Sequence, residues 1–214
     1  MMFKNFFEKT SQELKDGNFE IPNVPFYSQE LSQENFQVEG FTSLEDAKYW
    51  SERICGLACL KMVLGKFFPD KNFTLKELLD IGLKIGAYDE KVGWKHQGLV
   101  DLAANFDVNG FRQSIEGDIQ NIVQYLQQDK LVIASVTVGM EGGKEYKQED
   151  GSIYVMPKGG HLVVIFGADV SQGEIKSFLL HHPSSDKDYE HRDWVVSKDE
   201  FLKSFSEKGN ILVF

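Results

Sequence analysis

The chain has 214 residues, of which 42% are hydrophobic and 13% aromatic, and its formal net charge is −10 at pH 7. This length and composition predict one domain with a substantial core and exclude a disordered chain. An acidic surface repels nucleic acid and anionic membranes, so the sequence predicts neither of them as a partner.

The first 20 residues are expected to form a separate N-terminal arm or helix, and residues 21–214 a single domain. Residues 3–15 are rich in Phe, but lysines and glutamates interrupt them, so they lack the continuous apolar core of a signal peptide. No stretch approaches the roughly 20 apolar residues of a membrane span. The sequence therefore predicts a cytoplasmic protein without a transmembrane segment.

Helices are predicted over most of the first 130 residues. Two prolines favour an extended segment over residues 21–29, because proline restricts both itself and the residue before it. Beyond this segment, apolar residues at three- and four-residue steps and capping patterns mark the helices. The predicted helices cover residues 44–50, 55–68, 75–85, 99–106 and 118–128.

From residue 131 the pattern changes from helical to β. Leu131 to Val138 is at first continuously apolar, as in a central strand, and residues 139–160 follow as a long polar insertion. Helices followed by antiparallel strands predict an α+β fold, with a cleft between the helical part and the sheet. Later elements are predicted as strands over 161–167, 175–181, 194–196 and 211–214, and a helix over 197–206.

Cys55 begins the helix predicted over residues 55–68, and a glycine follows it. The first turn of a helix presents unpaired backbone N–H groups and the positive end of the helix dipole, and both favour a thiolate. A buried structural cysteine fits this position as well. Cys59 lies one turn further on, with roughly 6 Å between the Cβ atoms, which is too far for an unstrained disulfide.

Nucleophilic cysteine catalysis also requires a base and donors for the developing oxyanion. His161 is the candidate base, because it begins a strand directly after Gly159 and Gly160, which permit close approach of the opposing part of the chain. Gln29 is the candidate oxyanion donor. Taken singly, His161 also fits a hydrogen-bonded core histidine, and Gln29 carries almost no signal.

Together, these residues fall within five segments that occur in one order along the chain. The segments are VPFYSQ at 24–29, CGLACLKMVL at 55–64, GWKHQGL at 93–99, GGHLVV at 159–164 and HHP at 181–183. This order resembles the papain-like cysteine peptidases related to the bacteriocin-processing, double-glycine leader peptidases, and in particular their stand-alone relatives. The resemblance covers roughly residues 21–205.

The resemblance implies a papain-like fold that acts on a peptide or amide substrate through an acyl-enzyme, and no cofactor is predicted. In it Cys55 is the nucleophile, His161 the general base and then acid, and Gln29 the oxyanion donor. One position departs from the family pattern, which usually has Asp or Asn directly before the last proline. Here that residue is His182, which accepts a hydrogen bond from His161 only while neutral and repels an imidazolium when protonated.

Three hypotheses remain open from the sequence. The first is a cysteine peptidase or amidase, and the second an acyltransferase or transglutaminase-like enzyme with the same chemistry up to the acyl-enzyme. The third is a non-catalytic binding module, which the departure at His182 favours, unless Asp186 or Asp188 takes over the orienting role. His181, His182 and His191 lack zinc-site spacing, so no metal site is predicted.

Overall fold

The computed structural model describes residues 14–214, which form six helices and eleven strands within that range. The helices are α1 Leu44–Ser51, α2 Cys55–Phe67, α3 Leu75–Lys84, α4 His96–Ala104, α5 Gln120–Leu126 and α6 Lys198–Ser204. The strands are β1 Gly17–Glu20, β2 Tyr88–Asp89, β3 Gly93–Trp94, β4 Phe111–Ser114, β5 Val132–Val136, β6 Glu145–Lys147, β7 Ile153–Val155, β8 His161–Ser171, β9 Glu174–His182, β10 His191–Ser197 and β11 Asn210–Val213.

Seven of these strands form one antiparallel sheet in the order β10-β9-β8-β5-β11-β4, with β1 paired to β8. The long strand β8 is the centre of the sheet. Its first half pairs with β5, from Val132↔Ile165 to Val136↔His161, and its second half pairs with β1. His161 therefore lies at the very start of the most enclosed strand.

Helix α2 packs on β8 and is buried along nearly its whole length, from Gly56 to Gly65. Its many apolar residues explain this position, and the one charged residue of the buried stretch, Lys61, is paired with Glu39 at 2.6 Å. The first turn of α2 and the first residues of β8 consequently lie against each other, which brings the two parts of the chain together at Cys55 and His161.

The helices and strands predicted from sequence are largely confirmed, with differences at the ends. Ser43, Thr74 and Ser197 cap their helices as expected, each accepting a backbone N–H three residues on. Some features differ from the prediction. A small β2–β3 hairpin forms before α4, α4 begins at His96 instead of residue 99, and β6 and β7 form a hairpin inside the insertion at 139–160.

The expected arm or helix over residues 1–20 lies mostly outside the described residues. Its last four residues, Gly17–Glu20, form strand β1 instead and pair with β8 from Gly17↔Val170 to Glu20↔Gly167. Within residues 14–214, every helix is too short or too polar to cross a lipid bilayer.

Candidate active site

Cys55 and His161 line the same cavity, which has a volume of about 390 Å³. Cys55 is the first residue of α2 and is partly exposed, whereas His161 is 8% exposed at the start of β8. The structure thus brings the candidate nucleophile and the candidate base to one cleft. The walls of this cleft are formed by Glu52, Arg53, Tyr88, Val92, Gly93, Trp94, His96, Ser135, Gly160 and Leu162.

The loop that leads into Cys55 is fixed by Trp94. The indole Nε1 donates a hydrogen bond of 2.9 Å to the carbonyl of Arg53, two residues before the cysteine. The indole ring packs against Gly82 of α3, where an added Cβ would lie 2.7 Å from the ring. Trp94 is therefore both a core anchor and a cleft residue, and it sets the point at which α2 begins.

His161 is positioned by the two glycines before it. The Gly160 N–H donates to Ser135 Oγ at 3.0 Å, and the Gly159 N–H donates to the Ser204 carbonyl at 3.0 Å. Both glycines have positive φ, +84° and +100°, which other residues rarely adopt. This turn directs β8 into the sheet with the imidazole facing the cleft.

Ser135 was not identified from the sequence, although it holds Gly160 and lines the cavity. It is buried in β5, where all five residues are buried and the other four are apolar. A single hydroxyl in an otherwise apolar central strand is the signal that identifies such a residue, because a buried hydroxyl needs a hydrogen-bond partner.

His182 stacks on His161 rather than accepting a hydrogen bond from it. The ring centroids are 4.3 Å apart and the planes are inclined by 20°. His182 is fully buried at the end of β9, and neither of its ring nitrogens has a hydrogen-bond partner. Asp186 and Asp188 lie at the surface in a turn of their own, with the Asp188 N–H donating to Asp186 Oδ1, so neither takes the orienting position.

Gln29 is 4% exposed and lies beside the segment that precedes Cys55. Its Nε2 donates to the Ser51 carbonyl at 2.8 Å and lies 3.5 Å from Ser185 Oγ. In this conformation the amide braces the end of α1. One N–H of the amide is held by Ser51, and the second has only the long contact to Ser185.

Burial sets the protonation of the candidate pair. It raises the pKa of the Cys55 thiol, although hydrogen bonds from the backbone of Leu162, Gly56 and Cys55 itself act in the opposite direction. The expected effect of the helix start on the thiol is present but is outweighed by desolvation. For His161, burial and the neighbouring His182 lower the pKa to about 3, so at neutral pH the structure holds a thiol beside a neutral imidazole.

A second imidazole, His96, also lines the cavity at the first residue of α4. Burial, followed by the charge of Arg112, lowers its pKa. His181 does not reach the cleft, since it is fully buried and bonded through Nε2 to the Val24 carbonyl and through Nδ1 to the Asp193 N–H. Among the described residues, no three His, Cys, Asp or Glu side chains are arranged to hold a metal ion.

Comparisons with known proteins found a family model and solved structures that are similar to this chain. The model of the Peptidase_C39 like family matches residues 21–213. The crystal structure of a C39-like peptidase from Bacillus anthracis is similar to this chain, with a TM-score of 0.55 and 15% identity. The alignment covers 93% of this chain and 98% of that structure's chain. A double glycine motif protease from the AMS/PCAT transporter, solved in complex with the leader peptide, aligns over 74% of this chain and 81% of its own, with a TM-score of 0.44 and 18% identity. No curated protein matches the chain.

Proposed function

Because the chain belongs to the Peptidase_C39 like family, and the papain-like α+β fold expected from its sequence is confirmed, we propose that it is a cysteine peptidase or amidase. Cys55 is the nucleophile, His161 the general base and then acid, and residues 21–214 form the catalytic domain. The observation that carries the proposal is the shared cavity, which Cys55 and His161 both line.

The protonation of the pair determines how the reaction begins. With the pKa of Cys55 raised and that of His161 lowered to about 3, the resting site holds no thiolate–imidazolium pair at neutral pH. His161 therefore takes the thiol proton as Cys55 attacks the carbonyl carbon, and gives it to the leaving amine when the tetrahedral intermediate collapses. Water then releases the acyl group from Cys55, again with His161 as base.

Donors for the oxyanion are supplied by the first turn of α2 and by Gln29. Backbone N–H groups in the first turn of a helix have no intrahelical acceptor, and those of Cys55 and Gly56 face the sulfur. The second N–H of the Gln29 amide, which has only the long Ser185 contact, turns to the oxyanion when substrate binds. The first N–H stays on the Ser51 carbonyl and keeps the amide in place.

The test of this proposal is the alkylation of Cys55 by iodoacetamide at pH 7, followed by mass spectrometry of the Cys55 peptide. His161→Ala should lower the rate roughly tenfold or more, because the general base is lost. His96→Ala removes the other imidazole that lines the cavity and serves as the matched control, with a rate within about twofold of wild type. Equal rates in all three proteins would remove His161 from the role of base.

Hydrolysis is tested by incubating the protein with a library of proteome-derived peptides and identifying the products by mass spectrometry. The proposal expects new carboxyl termini that are absent with Cys55→Ala. Adding a primary amine distinguishes an acyltransferase, because its products carry the amine instead of a free carboxylate.

One observation favours a second candidate function, a non-catalytic binding module. His161 has no carboxylate or amide partner to orient it, and its Nε2 is buried without a hydrogen bond. A module of this kind would bind peptides in the cleft equally well with and without Cys55, and would form no products from the library.

A further inference from the structure

A second thiol of α2 makes a specific contact with the strand that carries His161. Cys59 is fully buried, and its Sγ–H donates a hydrogen bond of 3.2 Å to the carbonyl of Leu162. Leu162 directly follows His161 in β8 and itself lines the cavity. The contact therefore joins the helix of the candidate nucleophile to the strand of the candidate base, one residue from that base.

Leu162 faces both thiols of the helix at once. Its carbonyl accepts from Cys59, and its backbone also acts on the Cys55 sulfur, where it lowers the pKa of the thiol against the effect of burial. Its side chain lies over Gly56, with Cδ1 3.1 Å from the place that a Cβ would take. On the other side, Leu162 is paired with Ser135 of β5. One strand residue thus sets the distance between the first turn of α2 and the start of β8.

Cys59 has the right chemistry for a permanent donor. Burial raises its pKa well above the ordinary value, so at neutral pH the group remains an S–H and not a thiolate that would repel the Leu162 carbonyl. Alanine has the same number of carbon atoms but no donor, and serine keeps a donor on a shorter bond. The function proposed above assigns no role to this residue.

We propose that Cys59 is a positioning residue that holds Leu162, and with it His161, against Cys55. This inference rests on the proposed function of the cleft. Cys59 touches no substrate in this scheme. It acts by keeping the backbone of Leu162 at the Cys55 sulfur, where that backbone favours the nucleophilic form of the thiol.

The experiment measures the rate of Cys55 alkylation by iodoacetamide between pH 6 and 10 in wild type, Cys59→Ala and Cys59→Ser. Cys59→Ala should slow alkylation at pH 7 about fivefold and move the midpoint of the profile upward, as expected for the loss of one well-aligned hydrogen bond. Cys59→Ser should recover most of the rate. The other titratable groups on the cavity, Glu52, Arg53, Tyr88, His96 and His161, are unchanged, so the midpoint reports on Cys55.

Val63→Ala is the matched control for packing. Val63 is fully buried one turn further along α2, and shortening it removes more volume than Cys59→Ala while the Cys59 thiol is kept. Its alkylation profile should match wild type although its stability falls. If Val63→Ala shifts the profile as Cys59→Ala does, or if Cys59→Ala leaves it unchanged, the positioning role is overturned. The proposed function fails separately, if wild-type alkylation does not depend on His161.

A spectroscopic test needs no substitution at Cys59. In Cys55→Ser the single remaining thiol is Cys59, and its S–H stretching band should lie at the lower frequency of a hydrogen-bonded thiol. A band at the frequency of a free thiol would overturn the inference, whether or not the Cys59 variants fold.

Discussion

The imidazole rings of His161 and His182 stack face to face, with 4.3 Å between centroids and 20° between planes. The position that the resemblance reserves for an orienting Asp or Asn therefore holds a neutral aromatic face. Both rings are buried, and their pKa values are lowered to about 3 and about 4, mainly by burial. A base of this kind is held in place by packing and by the backbone of Pro183, which acts to raise the pKa of His161, with no opposite charge to stabilise its protonated form.

Placing a carboxylate at position 182 should change the protonation of the site. In His182→Asp, a negative charge next to His161 should raise the pKa of the imidazole by about one unit or more, because an opposite charge at this distance favours the charged form. A more basic His161 takes the thiol proton more readily as Cys55 attacks, so alkylation at pH 7 should increase about threefold for one unit of pKa.

His182→Asn is the matched control, since it has the same shape as Asp but no charge. Its rate of Cys55 alkylation at pH 7 should remain close to that of wild type. Identical profiles for the Asp and Asn variants would show that position 182 does not act electrostatically on His161.

Acid should destabilise the fold through its buried histidines. Burial lowers the folded-state pKa values of His161, His181 and His182 below the ordinary 6.5, so the folded protein favours their neutral forms. Their stabilising contribution is complete above pH 6.5. It is lost as the pH falls toward about 4 for His182 and about 3 for His161, because only the unfolded chain takes up the protons.

We expect the free energy of unfolding, measured in urea, to decrease as the pH is lowered from about 6.5 to about 4.5. Its slope against pH should correspond to the uptake of more than one proton on unfolding. His182→Asn should reduce this slope by up to about one proton, as linkage requires for one titrating group removed. A slope that is the same in both proteins would mean that His182 is not held neutral by the fold.

Cys55 and His161 could be predicted as a candidate pair from the sequence because local patterns mark both residues. Cys55 begins a run of apolar residues with helical spacing, and His161 begins an apolar strand after two glycines. The stacking of His182 on His161 could not be predicted from the sequence, because it depends on the pairing of β8 with β9, where Val164 lies opposite His181. No local signal encodes that pairing.

Two further features differ from the sequence prediction, and both depend on contacts between distant parts of the chain. The start of a helix favours a thiolate when only local structure is considered, but packing of β8 on α2 removes water from the sulfur of the partly exposed Cys55, and the net effect is a raised pKa. Strand β4, Phe111–Ser114, has no buried residue and was not predicted, because its partner β11 lies about a hundred residues further along the chain.

Gln29 should matter for turnover and not for alkylation. Gln29→Ala and Gln29→Glu both remove the amide donor, and kcat/KM for the best substrate from the peptide library should fall about 10²-fold, as for other lost oxyanion donors. Alkylation of Cys55 by iodoacetamide develops no oxyanion, so its rate should stay within about twofold of wild type. A parallel loss of both rates would indicate that Gln29 only braces the Ser51 carbonyl.

The glycine turn before His161 allows a matched pair of substitutions. Gly159 and Gly160 both have positive φ, so alanine at either position should cost about 1–2 kcal/mol of backbone strain. At Gly160 nothing lies within 4 Å of an added Cβ, whereas at Gly159 the Cβ would lie 2.9 Å from Ser206 Cβ and 3.1 Å from Ser135 Oγ. Gly159→Ala should therefore lower the free energy of unfolding by a further ~1–3 kcal/mol from overpacking.

Comparing Gly159→Ala with Gly160→Ala also distinguishes the effect of backbone strain from the effect of moving His161. Relief of the Gly159→Ala clash requires the turn to move, and His161 lies two residues further on, so this variant should also alkylate Cys55 more slowly. Gly160→Ala keeps the contacts with Ser135 and Ser204 and should alkylate at nearly the wild-type rate. Urea unfolding and the alkylation assay measure the two effects independently. Equal losses in both variants would show that backbone strain alone governs this turn, and that the close approach of Ser135 and Ser206 does not position His161.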